Sequence, residues 1–271
     1  MTSDAVPRLR VFAGPNGSGK STIKHDLPPE WLGVYINADD MEKTIRDHGF
    51  LSLADFEVTA SAGELVAFLR NSTLLRKAGL LDQAAQFKLV DGKVLFGDVE
   101  VNSYFASVLA DFIRHKLLQA KVSFTFETVM SSPDKVEFMR KAQQAGFRTY
   151  LYYVATEDPE INIARVRHRV ATGGHAVPDD KIINRYQRSL DLLIDAVLLA
   201  DRAYIFDNSG HERVWIAEAT SGEGLELKTD VMPYWFKTAL WDKFGAETNP
   251  GVSAAPGPTG SSTTNIDKNR L

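Results

Sequence analysis

The nine residues Gly14-Pro15-Asn16-Gly17-Ser18-Gly19-Lys20-Ser21-Thr22 constrain this chain more than any other stretch. They fit the pattern G-x-x-x-x-G-K-[ST] at every position. Leu9 to Ala13, just before, reads as a short apolar strand, and Ile23 to Leu27, just after, as a short helix stopped by Pro28-Pro29. A glycine-rich turn in that setting aims several backbone N–H groups at one point, and the start of a helix adds its positive end. Gly14 through Thr22 are therefore expected to cradle phosphates, with Lys20 on the β- and γ-phosphates and the Ser21 hydroxyl on Mg²⁺. A strand–helix turn that matches the pattern by chance is the plainer alternative. The first reading makes the chain a nucleoside triphosphate binder.

Length and composition narrow the field around that motif. An α/β chain of 271 residues forms one or two domains. A net charge of −4 argues against an extended nucleic-acid surface, which needs a basic excess. The absence of cysteine removes disulfides, thiolate metal sites and a cysteine nucleophile. Met1 to Arg8 lacks the apolar core of a signal peptide, and no stretch has the length and apolarity of a bilayer span. A cytoplasmic protein with neither a membrane nor a nucleic-acid partner is expected.

Two acidic positions stand at predicted strand ends. Gly33 to Asn37 reads as a strand running into Ala38-Asp39-Asp40-Met41 and a helix that closes before Gly49. At the carboxyl end of a strand Asp39 can hold and deprotonate an attacking hydroxyl. Equally, Asp39 or Asp40 can simply cap the helix. Lys121 to Phe126 alternates into another strand, ending at Glu127-Thr128. Glu127 stands there like an acid that organises Mg²⁺ or a substrate hydroxyl, or as a solvated strand end. Between these strands, residues 51–97 interrupt the strand–helix rhythm. Two helices separated near Asn71-Ser72 precede a hairpin, Phe87 to Phe96, whose Asp91-Gly92 is a type I′ turn sequence. That order also occurs in winged-helix DNA readers, a reading the acidic balance disfavours. An insertion that shapes a substrate pocket or meets a partner suits it better.

Further on, Tyr104 to Ala120 carries apolar residues at helical spacing. Ser132 is placed to cap a helix with Pro133 at its first position. Arg148 to Thr156 and Ala203 to Phe206 read as core strands. Arg165, Arg167, His168 and Arg169 precede Gly173-Gly174-His175, and Lys181, Arg185 and Arg188 follow on a helix. Its buried stripe is expected to include Ile182, Ile183, Tyr186, Leu190, Leu193, Ile194 and Val197. Two arginine-bearing helices joined by a Gly-Gly hinge suggest a lid closing on a triphosphate, where cations offset the charge of phosphoryl transfer. A solvated face is the alternative, with Asp191, Asp195 and Asp201 as pairing acids. Asp207 to Gly210 can contact an adenine or form a plain turn. From about Glu247 the chain turns to Pro, Gly, Ser and Thr, which predicts a disordered tail.

Gly-Pro-Asn-Gly-Ser-Gly-Lys-Ser-Thr also occurs in ABC-type ATPases, but their Leu-Ser-Gly-Gly-Gln signature and Asp-Glu strand end are absent here. Instead the chain resembles the zeta-toxin family of P-loop kinases from about Arg8 to Ser209. The P-loop, Ile36-Asn37-Ala38-Asp39, Phe126-Glu127-Thr128, and Arg165 through Arg188 with Gly-Gly-His-Ala-Val-Pro between them carry the resemblance. It implies an α/β fold with a parallel five-stranded sheet and ATP·Mg²⁺ as phosphoryl donor. Well-studied members phosphorylate UDP-N-acetylglucosamine and are toxins held by an antitoxin. By motif, Asp39 matches the acid on the acceptor hydroxyl, Glu127 the acid at the substrate strand end, and Arg169 a lid arginine on the phosphates. His175 stands where those toxins have a second lid arginine, with Arg185 or Arg188 to compensate.

The combined expectation is one P-loop kinase domain over 1–246, helices on both sheet faces, an α+β-hairpin insertion at 51–97, a lid at 160–188 and a tail at 247–271. Asp39, Lys20 and Arg169 are the expected catalytic residues. The cradle, Arg165, His175, Arg185 and Arg188 are expected to hold ATP, Ser21 the metal, and Asp39, Asp40, Glu127 and Thr128 the acceptor. The activity implied is phosphorylation of a hydroxyl on a nucleotide sugar or related metabolite. A regulatory ATP-binding switch for a protein partner is the rival reading.

Overall fold

The computed structural model describes residues 6–172 and 176–248, the last three as backbone. Its strands, in chain order, are β1 (Arg8–Ala13), β2 (Val34–Ile36), β3 (Phe50–Ser52), β4 (Lys88–Val90), β5 (Lys93–Leu95), β6 (Phe124–Thr128), β7 (Arg148–Ala155), β8 (Arg202–Asp207), β9 (Val214–Thr220) and β10 (Gly224–Leu227). The chain divides into two compact units. One takes the residues up to Leu32 and from Glu127 onward, the other Gly33–Phe126.

In the first unit the strands lie in the order β10-β9-β8-β7-β1. β1, β7 and β8 pair in parallel, with Val11 opposite Leu151 and Leu151 opposite Ala203. Every residue of β1 but Arg8 is buried, as in a parallel strand covered on both faces. Aligned registers bring three carboxyl ends together, so Gly14, Thr156 and Asn208 emerge side by side, and Asn208 N–H donates to Ala155 O at 2.8 Å. Substrates of open α/β sheets gather along such an edge. Two antiparallel strands, β9 and β10, extend the sheet beyond the expected parallel core. Its helices include Asp134–Gln144, Pro159–Ala171, Asp179–Asp191 and Leu193–Leu199.

The second unit contains the parallel pair β2·β6, with Ile36 opposite Phe126. Helix Ala38–His48 packs on helix Ser103–Ala120. The expected hairpin is present as β4 and β5, and Asp91 (φ 49°) and Gly92 (φ 74°) supply the two positive φ angles of a type I′ turn. β3 joins it to make a sheet in the order β3-β5-β4. The three residues of β3 are too short a run to announce a strand. Phe87 stacks edge-on against Phe96 and Phe105, tying hairpin to helix. Helices Ala62–Asn71, Thr73–Ala78 and Leu81–Ala84 precede it, the first opening on a capping box between Ser61 and Glu64. Parallel pairing thus runs through five strands, three in one unit and two in the other, and the α/β fold class holds.

Local details depart from expectation. The turn after the P-loop is a six-residue 3₁₀ helix, Lys20–His25, so its macrodipole is small. Pro29 opens a further turn, Pro29–Leu32, because proline suits a first helical position. Ser132 makes no cap: helix Asp134–Gln144 starts after Pro133 with no side-chain cap bond. Ile183 is 44% exposed, since the buried stripe of helix Asp179–Asp191 runs through Ile182, Tyr186 and Leu190 and leaves position 183 a quarter-turn outside. Among the described residues no helix is long and apolar enough to cross a membrane.

Candidate active site

The P-loop leaves β1 through backbone that only glycine tolerates. Gly14, Gly17 and Gly19 have φ of 137°, 75° and 95°. Space forbids a side chain as well. A Cβ on Gly14 would lie 1.9 Å from Val154 O, one on Gly17 2.6 Å from Asn162 O, and one on Gly19 2.3 Å from Asn208 Nδ2. Left-handed residues spaced along a loop turn successive N–H groups into one concavity. Lys20 Nζ donates to Pro15 O at 2.8 Å, folded along the loop it is expected to serve. Ser18 Oγ is buried with no hydrogen-bond partner among the described residues. A tight glycine cradle, an inward lysine and a buried hydroxyl fit a triphosphate.

Beside the cradle, Ser21 Oγ donates to Glu127 Oε2 at 2.9 Å. The P-loop hydroxyl and the acid at the end of β6 thus form one oxygen pair. That donor set fits Mg²⁺, which takes few protein oxygens and completes its shell with water and phosphate. Thr128 serves the backbone instead, its Oγ1 accepting from Met130 N–H at 3.0 Å across a turn in which Met130 has φ 53°.

Side chains from the segments after β7 and β8 brace the loop. Asn162 Nδ2 donates to Asn16 O at 2.5 Å, and Asn208 Nδ2 to Ser18 O at 2.8 Å. Thr22 Oγ1 donates to Gly19 O at 2.7 Å and accepts from Arg213 Nη1 at 2.8 Å. Arg213 also pairs with Asp26 and lies over the Phe206 ring, and its burial lowers its basicity. The Asp207–Gly210 tip is a held turn. Asp207 accepts from Ser209 N–H, Ser209 Oγ and, at 2.7 Å, Trp235 Nε1. Tyr186 O–H donates to Thr156 O at 2.6 Å, and burial pushes its acidity well below that of a free phenol, so it stays a neutral donor.

The predicted arginines divide. Arg165 is committed to the β8 tip, donating to Asn208 O at 2.7 Å and Gly210 O at 3.3 Å. Arg169 and Arg185 are half-buried, and Arg188 is exposed with its Nε on Asn184 O. Arg167 pairs with Asp179, so the acids foreseen at 191, 195 and 201 are not its partners. His175 and the Gly173-Gly174 hinge lie outside the described residues. In the second unit, Asp39 and Asp40 are exposed in the first turn of helix Ala38–His48. Asn37 caps that helix, accepting from Asp39 N–H at 2.9 Å and Asp40 N–H at 3.4 Å, which frees both carboxylates from the capping role. Sequence reasoning missed Asn162 and Arg213, which carry no motif of their own. Asn208 was visible only as a polar residue at a strand tip.

A family model described as zeta toxin matches residues 98–220. Among curated proteins the chain is similar to an uncharacterized protein of Haemophilus influenzae, 32% identical over 72 residues, or 27% of this chain and 51% of that one. It thus spans about half the length of that relative. A guanylate kinase of Gloeobacter violaceus is 25% identical over 143 residues, 49% of this chain and 70% of that one. Among solved structures, the AvrRxo1-ORF1:AvrRxo1-ORF2 complex with sulphate ions aligns over 94% of this chain and 67% of that chain, with 15% identity and a TM-score of 0.51. The same pair with ATP aligns over 94% and 68%, with 13% identity and a TM-score of 0.50. Likeness at that identity speaks for the fold. The resemblance to the zeta-toxin family of P-loop kinases, drawn from the P-loop, the two acidic strand ends and the arginine-rich helices, is borne out over residues 98–220 by that family's own model.

Proposed function

We propose that this protein is an ATP-dependent small-molecule kinase of zeta-toxin type, transferring the γ-phosphoryl group to a hydroxyl of a nucleotide sugar or related metabolite. The observation that carries the proposal is the Ser21–Glu127 pair beside a cradle that only glycines can line. The match to the zeta-toxin model and an ATP complex of a protein with the same fold support it.

The loop N–H groups and Lys20 hold the donor phosphates, and Ser21 with Glu127 would hold Mg²⁺. Bound there, Mg²⁺ would supply charge neutralisation on the phosphate oxygens. Arg169, with Arg185 and Arg188, supplies further positive charge toward the γ-phosphate, while Arg165, expected on the phosphates, is held at the β8 tip. Asp39 is assigned to the acceptor on its motif, Ile36-Asn37-Ala38-Asp39, with Asp40 as a further acceptor contact, while Thr128, expected there too, holds the turn at Met130. The acceptor oxygen bonds to the γ-phosphorus as the bond to the bridging oxygen breaks. ADP keeps that electron pair, and the hydroxyl proton passes to Asp39. In a loose transition state, alignment of the hydroxyl matters more than its early deprotonation. On the family resemblance, the protein is the toxin of a toxin–antitoxin pair.

The test is ATP turnover with Mg²⁺ against nucleotide sugars, nucleosides and dinucleotides, with Asp39→Asn as control. A phosphorylated acceptor lost in the variant supports the kinase. Slow hydrolysis indifferent to every acceptor and to Asp39 would overturn it in favour of a regulatory ATP-binding switch.

A further inference from the structure

A loop that turns its N–H groups toward a ligand must turn its carbonyls away, and each outward carbonyl then needs a donor of its own. Two of the P-loop carbonyls are served from within the motif. Pro15 O accepts from Ser18 N–H at 3.2 Å and Lys20 Nζ at 2.8 Å. Gly19 O accepts from Thr22 N–H at 3.1 Å and Thr22 Oγ1 at 2.7 Å. Asn16 O and Ser18 O are served from outside, by the amides of Asn162 and Asn208.

Both residues are anchored. Asn162 is fully buried in helix Pro159–Ala171, and its Oδ1 accepts from Thr156 Oγ1, which commits Nδ2 to the loop. Asn208 is anchored by its backbone, N–H on Ala155 O and C=O on the Arg165 guanidinium. Both residues also touch the glycines that shape the loop: Asn162 lies against Gly17 and Asn208 against Gly19. Each prop therefore meets the loop twice, once at a carbonyl and once at the bare face of a glycine.

We infer that Asn162 and Asn208 are positioning residues for ATP, two amide props, one in the helix after β7 and one at the end of β8, that hold the phosphate loop in its N–H-inward form. The inference rests on the nucleotide-binding reading above. It adds that affinity for the triphosphate depends on two side chains lying 140 or more residues beyond the motif. The chemistry required is a donor: an aspartate has the same shape, yet sets an acceptor against a carbonyl.

The experiment is calorimetric titration of the full-length chain with Mg²⁺·ATP, for wild type, Asn208→Ala, Asn208→Asp and Asn162→Ala, with thermal melts of each. Because Asn162 is fully buried and its truncation opens the core, half-buried Asn208 carries the test. Asn208→Ala should weaken ATP on the order of tenfold, as for loss of one hydrogen bond, at temperatures where it remains folded. Asn208→Asp should bind more weakly still. Its ratio to wild type should narrow as the pH falls from 7 to 4, toward the ordinary aspartate pKa of about 3.9, as the carboxyl takes up a proton and becomes a donor again. A purely structural role would lower the melting temperature without that pH signature. Folded Asn208 variants that bind ATP within twofold of wild type, or an aspartate deficit indifferent to pH, would overturn the inference and leave the kinase reading standing. A wild-type chain that binds no ATP would overturn both.

Discussion

Ser21 and Glu127, 106 residues apart in the chain, meet in a 2.9 Å hydrogen bond from hydroxyl to carboxylate. One comes from the turn after β1 and the other from the end of β6, so the pair exists only because the fold brings those two ends together. In the proposed kinase both oxygens face one Mg²⁺. Glu127→Gln should therefore lower turnover on the order of ten- to a hundredfold and shift half-saturation to higher Mg²⁺. Initial rates over a Mg²⁺ titration check this. Unchanged Mg²⁺ dependence would remove Glu127 from the metal site.

Glycine substitutions in the loop should rank by what their Cβ would strike. Gly14→Ala meets the Val154 carbonyl at 1.9 Å, a backbone atom of a central strand that cannot step aside. Gly19→Ala meets the end of the Asn208 side chain, which can rotate at the cost of its bond to Ser18 O. Both also place alanine at positive φ. Gly14→Ala should lose roughly 1–3 kcal/mol or more of stability, and Gly19→Ala less stability but more ATP affinity. Urea unfolding alongside ATP titration separates the two.

Lys20→Ala should abolish ATP-dependent turnover, and a melt that matches wild type would assign the loss to phosphate binding rather than to folding. Asp39→Asn should keep nucleotide binding and drop kcat. Because Asn37 caps helix Ala38–His48, that substitution should leave the melting temperature almost unchanged. A large fall in stability would show Asp39 to be a structural residue instead.

In the second unit, Glu64 is held at a pKa of about 2 by Lys116 Nζ at 2.7 Å and by the Ser61 N–H and hydroxyl. A carboxylate whose folded pKa lies below its unfolded value of 4.5 stabilises the fold above pH 4.5. That contribution is lost as the pH falls from 4.5 toward 2. Wild type should therefore be more acid-sensitive over that window than Glu64→Gln. The difference should shrink in high salt, because the group is exposed. Acid titrations followed by circular dichroism at two salt concentrations would test it, and parallel curves would argue against the pair.

Much of the fold was legible because it is local. Asp91-Gly92 announced its hairpin through two positive φ angles, and the apolar spacing of helix Ser103–Ala120 announced its buried face. β3, at three residues, carries too little pattern to be read alone and exists through its pairing with β5. Arg165 looked like a free lid cation, but two carbonyls of the β8 tip hold its guanidinium. Asp39 and Asp40 looked equally like caps, a question settled by the side-chain oxygen of Asn37, one residue outside the helix.

By itself the sequence determined the phosphate loop, because the steric freedom of Gly14, Gly17 and Gly19 is a property of those residues wherever they stand. It also determined that acids stand at the carboxyl ends of β2 and β6, since alternation and turn residues mark strand ends locally. Tertiary structure alone decided which strand ends are neighbours. Register between β1, β7 and β8 sets Asn162 and Asn208 against the loop, and the fold carries Glu127 to Ser21. Such pairings join residues more than a hundred positions apart, and no local propensity encodes them. They follow from burying the apolar faces of whole strands at once.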